Sequence, residues 1–315
     1  MGLFAKFIDA KKRSHVHAPA GIFPAATLTN APVDLDRDSL AFIGISKPVW
    51  AYGLEKVEGI LPDKSTRHRR IAFTQLATPG VSDQQTAHPG RTEDDLGKLA
   101  RGLPLWLAET LYFSNNYTPL TIIGSVGGTR HTLLTKQWMP QDIHQLVKTA
   151  QDGLDYVVTG TLTRTGGEHK LSLDVWDVPK FRYRKNFCSH WTAATADTAL
   201  STLHEHFRLF MEWTAYLDGD GLTYKTPARP TVWIETLDAS LALFLADKAS
   251  FDRDQLALPS SVFDRAAEQA FSGETASVAW LTLQDRALRL GKLGAPVPVQ
   301  VSGTALVKAA QLALA

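Results

Sequence analysis

The chain reads as an α/β (α+β) protein, a mixed sheet flanked by helices with a C-terminal all-helical subdomain. Three observations predict this. Strand-like and helix-like stretches alternate between residues 70 and 217. Within them a Gly-Gly turn separates a β-rich run from one of period-two alternation, the mark of a hairpin. Beyond residue 231 the apolar residues recur only at helical spacing. The 315 residues suffice for two domains. The expected boundaries are 1–69 (N-terminal helix, extended arm and accessory strand), 70–217 (α/β domain) and 231–315 (helical subdomain).

In chain order, Leu3, Phe4, Phe7 and Ile8 fall on one helical face and are followed by Lys11-Lys12-Arg13. A stripe of this kind needs cover, from its own domain, a second copy, another protein or a lipid surface. No apolar run of signal-peptide length follows it, and Lys6 stands where a myristoylation signal wants Ser or Thr. Residues 18–38 carry Pro19, Pro24 and Pro32 with little periodicity and read as an extended arm. Phe42, Ile43 and Ile45 suggest an accessory strand. Lys64, Arg67, His68, Arg69 and Arg70 read as a solvated basic turn. Residues 70–77 form a strand, 78–95 a polar loop, 97–114 a helix and 120–124 a second strand.

Ile143, Leu146, Val147 and Ala150 repeat at i, i+3, i+4 and i+7, which predicts a helix over 140–152 entered at Pro140 and left at Gly153. Residues 155–163 are β-rich, and Leu171, Leu173 and Val175 alternate with polar neighbours across 170–178. After Pro179, Phe181, Tyr183, Phe187 and Trp191 share one parity; Arg182, Arg184, Cys188 and His190 share the other. Leu200, Leu203, Phe207, Phe210, Thr214 and Leu217 mark a helix over 195–217, with Phe207 in mid-stripe and therefore expected to be buried. Further helices are expected around Leu237–Leu245, around Phe263, Ala266, Ala267, Ala270 and Phe271, around Val278, Leu281, Leu288 and Leu290, and over 304–314.

Gly102-Leu-Pro104, Leu111, Thr121-Ile-Ile-Gly-Ser125, Asp155-Tyr-Val-Val-Thr-Gly-Thr161, the Gly-Gly turn and Leu171-Ser-Leu-Asp-Val-Trp-Asp177 together resemble the TolB amino-terminal-like domain over about residues 70–215. The chain departs from that pattern at Trp106-Leu107, where the family often has an acidic residue. The resemblance implies an α/β binding domain without catalytic residues, of a kind also found in bacterial multidomain regulators ahead of helical repeats. The short amphipathic helices after residue 231 resemble a tetratricopeptide-like array, with a small bundle packed on the α/β domain as the alternative.

Composition narrows the function. Apolar residues make up 44% and charged residues 21%, as in ordinary globular proteins. A net charge of +1 offers no global field to steer nucleic acid or an anionic membrane. The single cysteine, Cys188, rules out an internal disulfide and a Cys-rich zinc site. No run of about 20 apolar residues suggests a transmembrane helix. These features give the expectation of a cytoplasmic protein, and the resemblance implies a bacterial one.

The chemical motifs are weak. Gly124-Ser-Val-Gly-Gly128 follows a strand but lacks the Gly-Lys-Ser/Thr ending of a phosphate loop and reads as a glycine turn. His204 and His206, two apart on a helix, point about 200° from each other, unlike a metal pair. Asp218-Gly-Asp-Gly221 opens like a calcium loop, but Arg229 falls where the bidentate Glu belongs. Strand alternation puts Cys188 and His190 on one face beside Arg182 and Arg184, and cationic neighbours are what activates a thiol. Side chains at i and i+2 are about 7 Å apart, however, too far for a thiolate–imidazole bond. Lys180, Arg182, Arg184 and Lys185 form an anion- or partner-binding face. No catalytic residue, cofactor or metal ligand is expected. The expected role is a non-enzymatic protein-binding or scaffold component acting through a protein partner or self-assembly, with Leu3, Phe4, Phe7, Ile8 and that basic face as contacts and peripheral membrane contact by the N-terminus left open. The alternative is a small-molecule or nucleotide-sensing domain, or an enzyme, using the cleft near Gly124 to Arg130.

Overall fold

A computed structural model describes residues 21–24, 40–64, 68–81, 94–126, 130–150, 153–216, 221–251 and 253–314. The expected N-terminal helix with Leu3, Phe4, Phe7 and Ile8 lies outside them, as do most of the proline arm and residues 218–220. The strands are β1 (Gly21–Pro24), β2 (Leu40–Ile45), β3 (Arg69–Thr74), β4 (Tyr117–Val126), β5 (Arg130–His131), β6 (Tyr156–Thr165), β7 (Glu168–Asp177) and β8 (Arg182–Trp191). The α-helices are α1 (Asp95–Tyr112), α2 (Pro140–Thr149), α3 (Ala196–Phe210), α4 (Pro230–Asp247), α5 (Ser260–Gln269), α6 (Glu274–Arg289) and α7 (Ala305–Leu314).

The strands make one mixed sheet in the order β1-β2-β4-β3-β6-β7-β8, with β5 added to the end of β4. β3 runs parallel to β4 and β6, and the remaining pairs are antiparallel. The sheet thus takes in β1 and β2, which precede residue 70. Alternation decides which residue faces which layer. Ile71, Phe73, Val158, Leu171, Leu173 and Val175 pack with α1, α3 and α4 residues such as Leu103, Leu200 and Leu241. Ala72, Ile122 and Val157 point to the opposite face, where Ile143 and Leu146 of α2 cover them. The β6–β7 hairpin closes through Gly166 (φ 59°) and Gly167 (φ 85°), two successive left-handed positions that side chains resist.

Proline inside α1 has a structural use. Pro104 has no N–H to give the carbonyl of Ala100 four residues back. That carbonyl instead accepts from the main-chain N–H of Leu76, 2.9 Å away, and ties the end of β3 to α1.

α4 is buried along most of its length and lies against α1, with α5 and α6 on its other sides. Gly102 of α1 permits this approach, because a Cβ there would lie 2.4 Å from the carbonyl oxygen of Ile234. Replacing Gly102 by alanine is expected to force the two helices apart and cost about 1–3 kcal/mol in chemical denaturation; an unchanged midpoint would refute the tight crossing. Charges cross the same seam. Arg101 pairs with Asp238 at 2.7 Å, and Glu235 accepts from Lys98 at 3.1 Å and from Arg265 of α5.

Three local expectations are corrected. The helix expected over 195–217 ends at Phe210, because Glu212 turns to φ 50° and the following chain is claimed by other partners. Trp213 Nε1 donates to the carbonyl of Thr110 at 2.7 Å, Asn115 N–H donates to the carbonyl of Thr214, and Ser114 bridges Ala215. Phe271, expected on a buried stripe, is 61% exposed, since α5 stops at Gln269 and a single 3₁₀ turn rotates the ring outward. Lys64 is no solvated cation. It is partly buried, donates to the carbonyl of Ser114 at 2.6 Å and lies over the rings of Tyr112 and Tyr216; burial lowers its pKa to about 8.

Candidate functional site

In open α/β sheets, ligands sit beyond the carboxyl ends of the parallel strands. Here the chain fills much of that position itself. Gln75, just after β3, accepts from Gly124 N–H at 3.0 Å and donates to the carbonyl of Thr132 at 2.6 Å. Trp138 Nε1 donates to the Gln75 carbonyl at 3.3 Å, and Ala77 bridges both Leu134 and Thr161. A Cβ on Gly124 would lie 3.2 Å from both Thr132 and Leu134. Gly124 itself belongs to β4, which runs on to Val126 instead of turning; residues 127–129 lie outside the described residues. Deeper in, His131 packs edge-on against Phe251, and both its ring nitrogens are buried without a hydrogen-bond partner among the described residues. Burial, with the nearby Arg101 cation, holds its pKa well below the usual histidine range.

His204 and His206 separate as helical geometry requires, with His206 exposed and His204 buried. The His204 ring stacks on Trp106 at 4.3 Å, and Nε2 lies 2.9 Å from Thr110 Oγ1 and 3.1 Å from Tyr224 Oη. Burial, reinforced by Arg208, lowers its pKa to about 3, so the ring is neutral across the physiological range. Among the described residues, no group of three or more His, Cys, Asp or Glu is arranged to hold a metal ion.

Cys188 and His190 share a face and are exposed, with Cys188 Sγ 2.7 Å from Asn186 Oδ1. The arginines do not join them, which corrects the simple parity reading. β7 pairs Val175 with Lys185 and Trp176 with Tyr183, skipping Arg184. This bulge inverts the alternation. Arg182 therefore faces Asp177, and the Arg184 guanidinium lies over the rings of Tyr156 and Phe210. Lys185 lies over Phe187, so all three cations share the α3 side of the sheet while Cys188 faces away from it. Lys180 is exposed in the β7–β8 turn, its N–H bonded to Asp177. Of the residues expected on a basic face, Arg182, Arg184 and Lys185 are thus on one side, and α3 ends beside them: Phe210 meets Phe187 edge-on at 5.5 Å.

Besides the Arg101–Asp238 pair, sequence reasoning missed buried Glu109 and Arg286. Glu109 is 2% exposed in the last turn of α1. The indole N–H groups of Trp50 and Trp233 lie near its carboxyl without completing a hydrogen bond of good geometry. Burial dominates and raises its pKa to about 8. Arg286, also 2% exposed, donates to the carbonyls of Val49 (3.3 Å) and Tyr52 and lies over the Phe244 ring. It lines a cavity of about 230 Å³ with Tyr52, Phe244, Asp247 and Arg289, and Arg289 bonds both Asp247 and Asp285. The available signal was a lone charge inside an otherwise apolar helical stripe.

No model of a protein family matches this chain, and no curated protein matches it. Among solved structures it is similar to the crystal structure of TolB from Acinetobacter baumannii, at 16% identity and a TM-score of 0.27. That match covers 49% of this chain and 30% of the other, so this chain spans under a third of the TolB length. A superposition that loose carries no argument about role.

Proposed function

We propose that the chain is a non-enzymatic binding or scaffold protein that works by contact with a protein partner or a second copy of itself. The supporting observation is β8: a sheet edge whose exposed cations, Arg182, Arg184 and Lys185, are gathered on one side by a bulge beside the end of α3. Sheet edges bind other chains through main-chain groups, and charge selects among them. The N-terminal stripe of Leu3, Phe4, Phe7 and Ile8 is a second contact element in this reading. No helix of the described residues is long and apolar enough to cross a membrane, and the free, exposed Cys188 fits a reducing compartment such as the cytoplasm. The second reading, a small-molecule or nucleotide sensor or an enzyme at the strand ends, is favoured by His131, whose ring nitrogens are buried, and by the Arg101–Asp238 pair near it.

Light scattering on the size-fractionated full chain tests the proposal. An assembled full chain is expected, and removal of residues 2–17 is expected to leave the melting temperature unchanged while weakening association. A truncated chain that unfolds would make the segment part of the core. One that folds and associates unchanged would remove the N-terminus as a contact. A monomer that binds a nucleotide would favour the second reading.

A further inference from the structure

The sheet order ends at β8, and among the described residues none of its ten residues shares a main-chain hydrogen bond with any element but β7. About half of a strand's N–H and C=O groups point away from its single neighbour. β8 therefore offers a bare row of alternating donors and acceptors at strand spacing. From Lys180 to Trp191 the chain carries four cations and no acid, in a protein whose net charge is only +1. Among the described residues, Arg182 has one carboxylate nearby, Asp177 at 3.7 Å, and Arg184 and Lys185 lie over aromatic rings with no carboxylate in ion-pair distance. Beside them the end of α3 leaves Phe210 half-buried and Leu209 71% exposed, an apolar step next to the charged edge.

Resting on the reading of the chain as a contact protein, we propose that β8 accepts an added strand from an extended acidic segment of another protein, bonded along the free edge and selected by Arg182, Arg184 and Lys185 beside Phe210. A second copy of the chain is the poorer occupant. Pairing β8 with β8 gives its cations no acid to meet: a parallel pair lays cation against cation, where like charges repel, and a full-length antiparallel pair sets the cations opposite the uncharged end of the other copy. Edge cations commonly keep a bare edge from pairing with its own kind. The same charges attract a strand of opposite sign. Nucleic acid matches the charge but not the edge, because phosphates only accept hydrogen bonds and would leave the outward carbonyls of β8 without donors. An acidic peptide satisfies both the charges and the carbonyls.

The test titrates the full chain against fluorescently labelled probes. One is a peptide of about ten residues alternating Glu and Val, a typical strand length or slightly more. The others are its Lys–Val counterpart, the Glu–Val peptide N-methylated at alternate residues, and single-stranded DNA of equal charge. The Glu–Val peptide is expected to bind, more weakly as salt rises, and at least about tenfold more tightly than each of the others. The double variant Arg184→Glu/Lys185→Glu is expected to lose that binding and to take up the Lys–Val peptide instead. Both side chains are exposed, so its melting temperature is expected to match that of the parent. Equal binding of the N-methylated peptide would reduce the site to charge attraction and overturn strand addition. Equal binding of the DNA, or no binding of the Glu–Val peptide, would overturn the choice of partner. If the peptide fails while light scattering still finds the full chain assembled, this site falls and the contact reading stands; if both fail, both fall.

Discussion

Phe207→Ala is expected to lower the free energy of unfolding by about 3–5 kcal/mol, a large part of the stability of a typical domain. The ring is fully buried in the last turn of α3, 5.9 Å from Phe73 of β3 and 5.7 Å from Phe187 of β8. It therefore joins the helix to a central and an edge strand at once. Truncation removes the transfer free energy of the ring and leaves a cavity between rigid strands that cannot collapse onto it. Urea denaturation of the two proteins measures the difference, and Phe207→Leu should recover much of it by refilling the space. A loss below about 1 kcal/mol would mean that α3 does not rest on this sheet.

Glu109→Gln is expected to stabilise the protein at pH 7 by about 2–3 kcal/mol and to remove most of a decline in stability between about pH 6.5 and 8. Below the ordinary glutamate value of 4.5, the carboxyl is protonated in both folded and unfolded chains. Above it the unfolded chain releases the proton, while the folded chain, with the group buried, keeps it up to about pH 8. Unfolding therefore releases a proton across this window, and stability falls as pH rises. His204 acts in the opposite sense. Its folded pKa of about 3 means that its contribution is complete above the ordinary value of 6.5 and is lost as pH falls toward 3. The wild-type optimum should consequently lie between about pH 4.5 and 6.5 on these two groups, while the variant should hold its stability up to pH 8. Thermal and urea unfolding across that range decide the matter. A wild-type curve that rises from pH 5 to 8, or a variant less stable at pH 7, would show that the Glu109 carboxyl finds compensation in the fold.

Phe207, the Leu171–Val175 strand and the helix at Ile143 were legible because each depends on local periodicity, which burial on one face imposes on the sequence. The hairpin at Gly166-Gly167 was legible for a different local reason, the positive φ of its turn. By themselves, then, the amino acids determined the α/β class, the β6–β7 pairing, the helical C-terminal part and the basic stretch from Lys180 to Lys185. Tertiary structure alone decided where α3 stops, because the hydrogen bonds that claim residues 213–216 come from around Thr110 to Asn116, about a hundred positions earlier. It decided that Arg184 sides with Phe210 and not with Cys188, since a bulge depends on register against β7 and leaves no periodic trace. It placed Glu109 and His204 in apolar surroundings built from separate elements, and that desolvation sets their charge states. It also left β8 at the edge of the sheet. Strand order is fixed by which long-range pairings bury the most surface together, and no single segment carries that information.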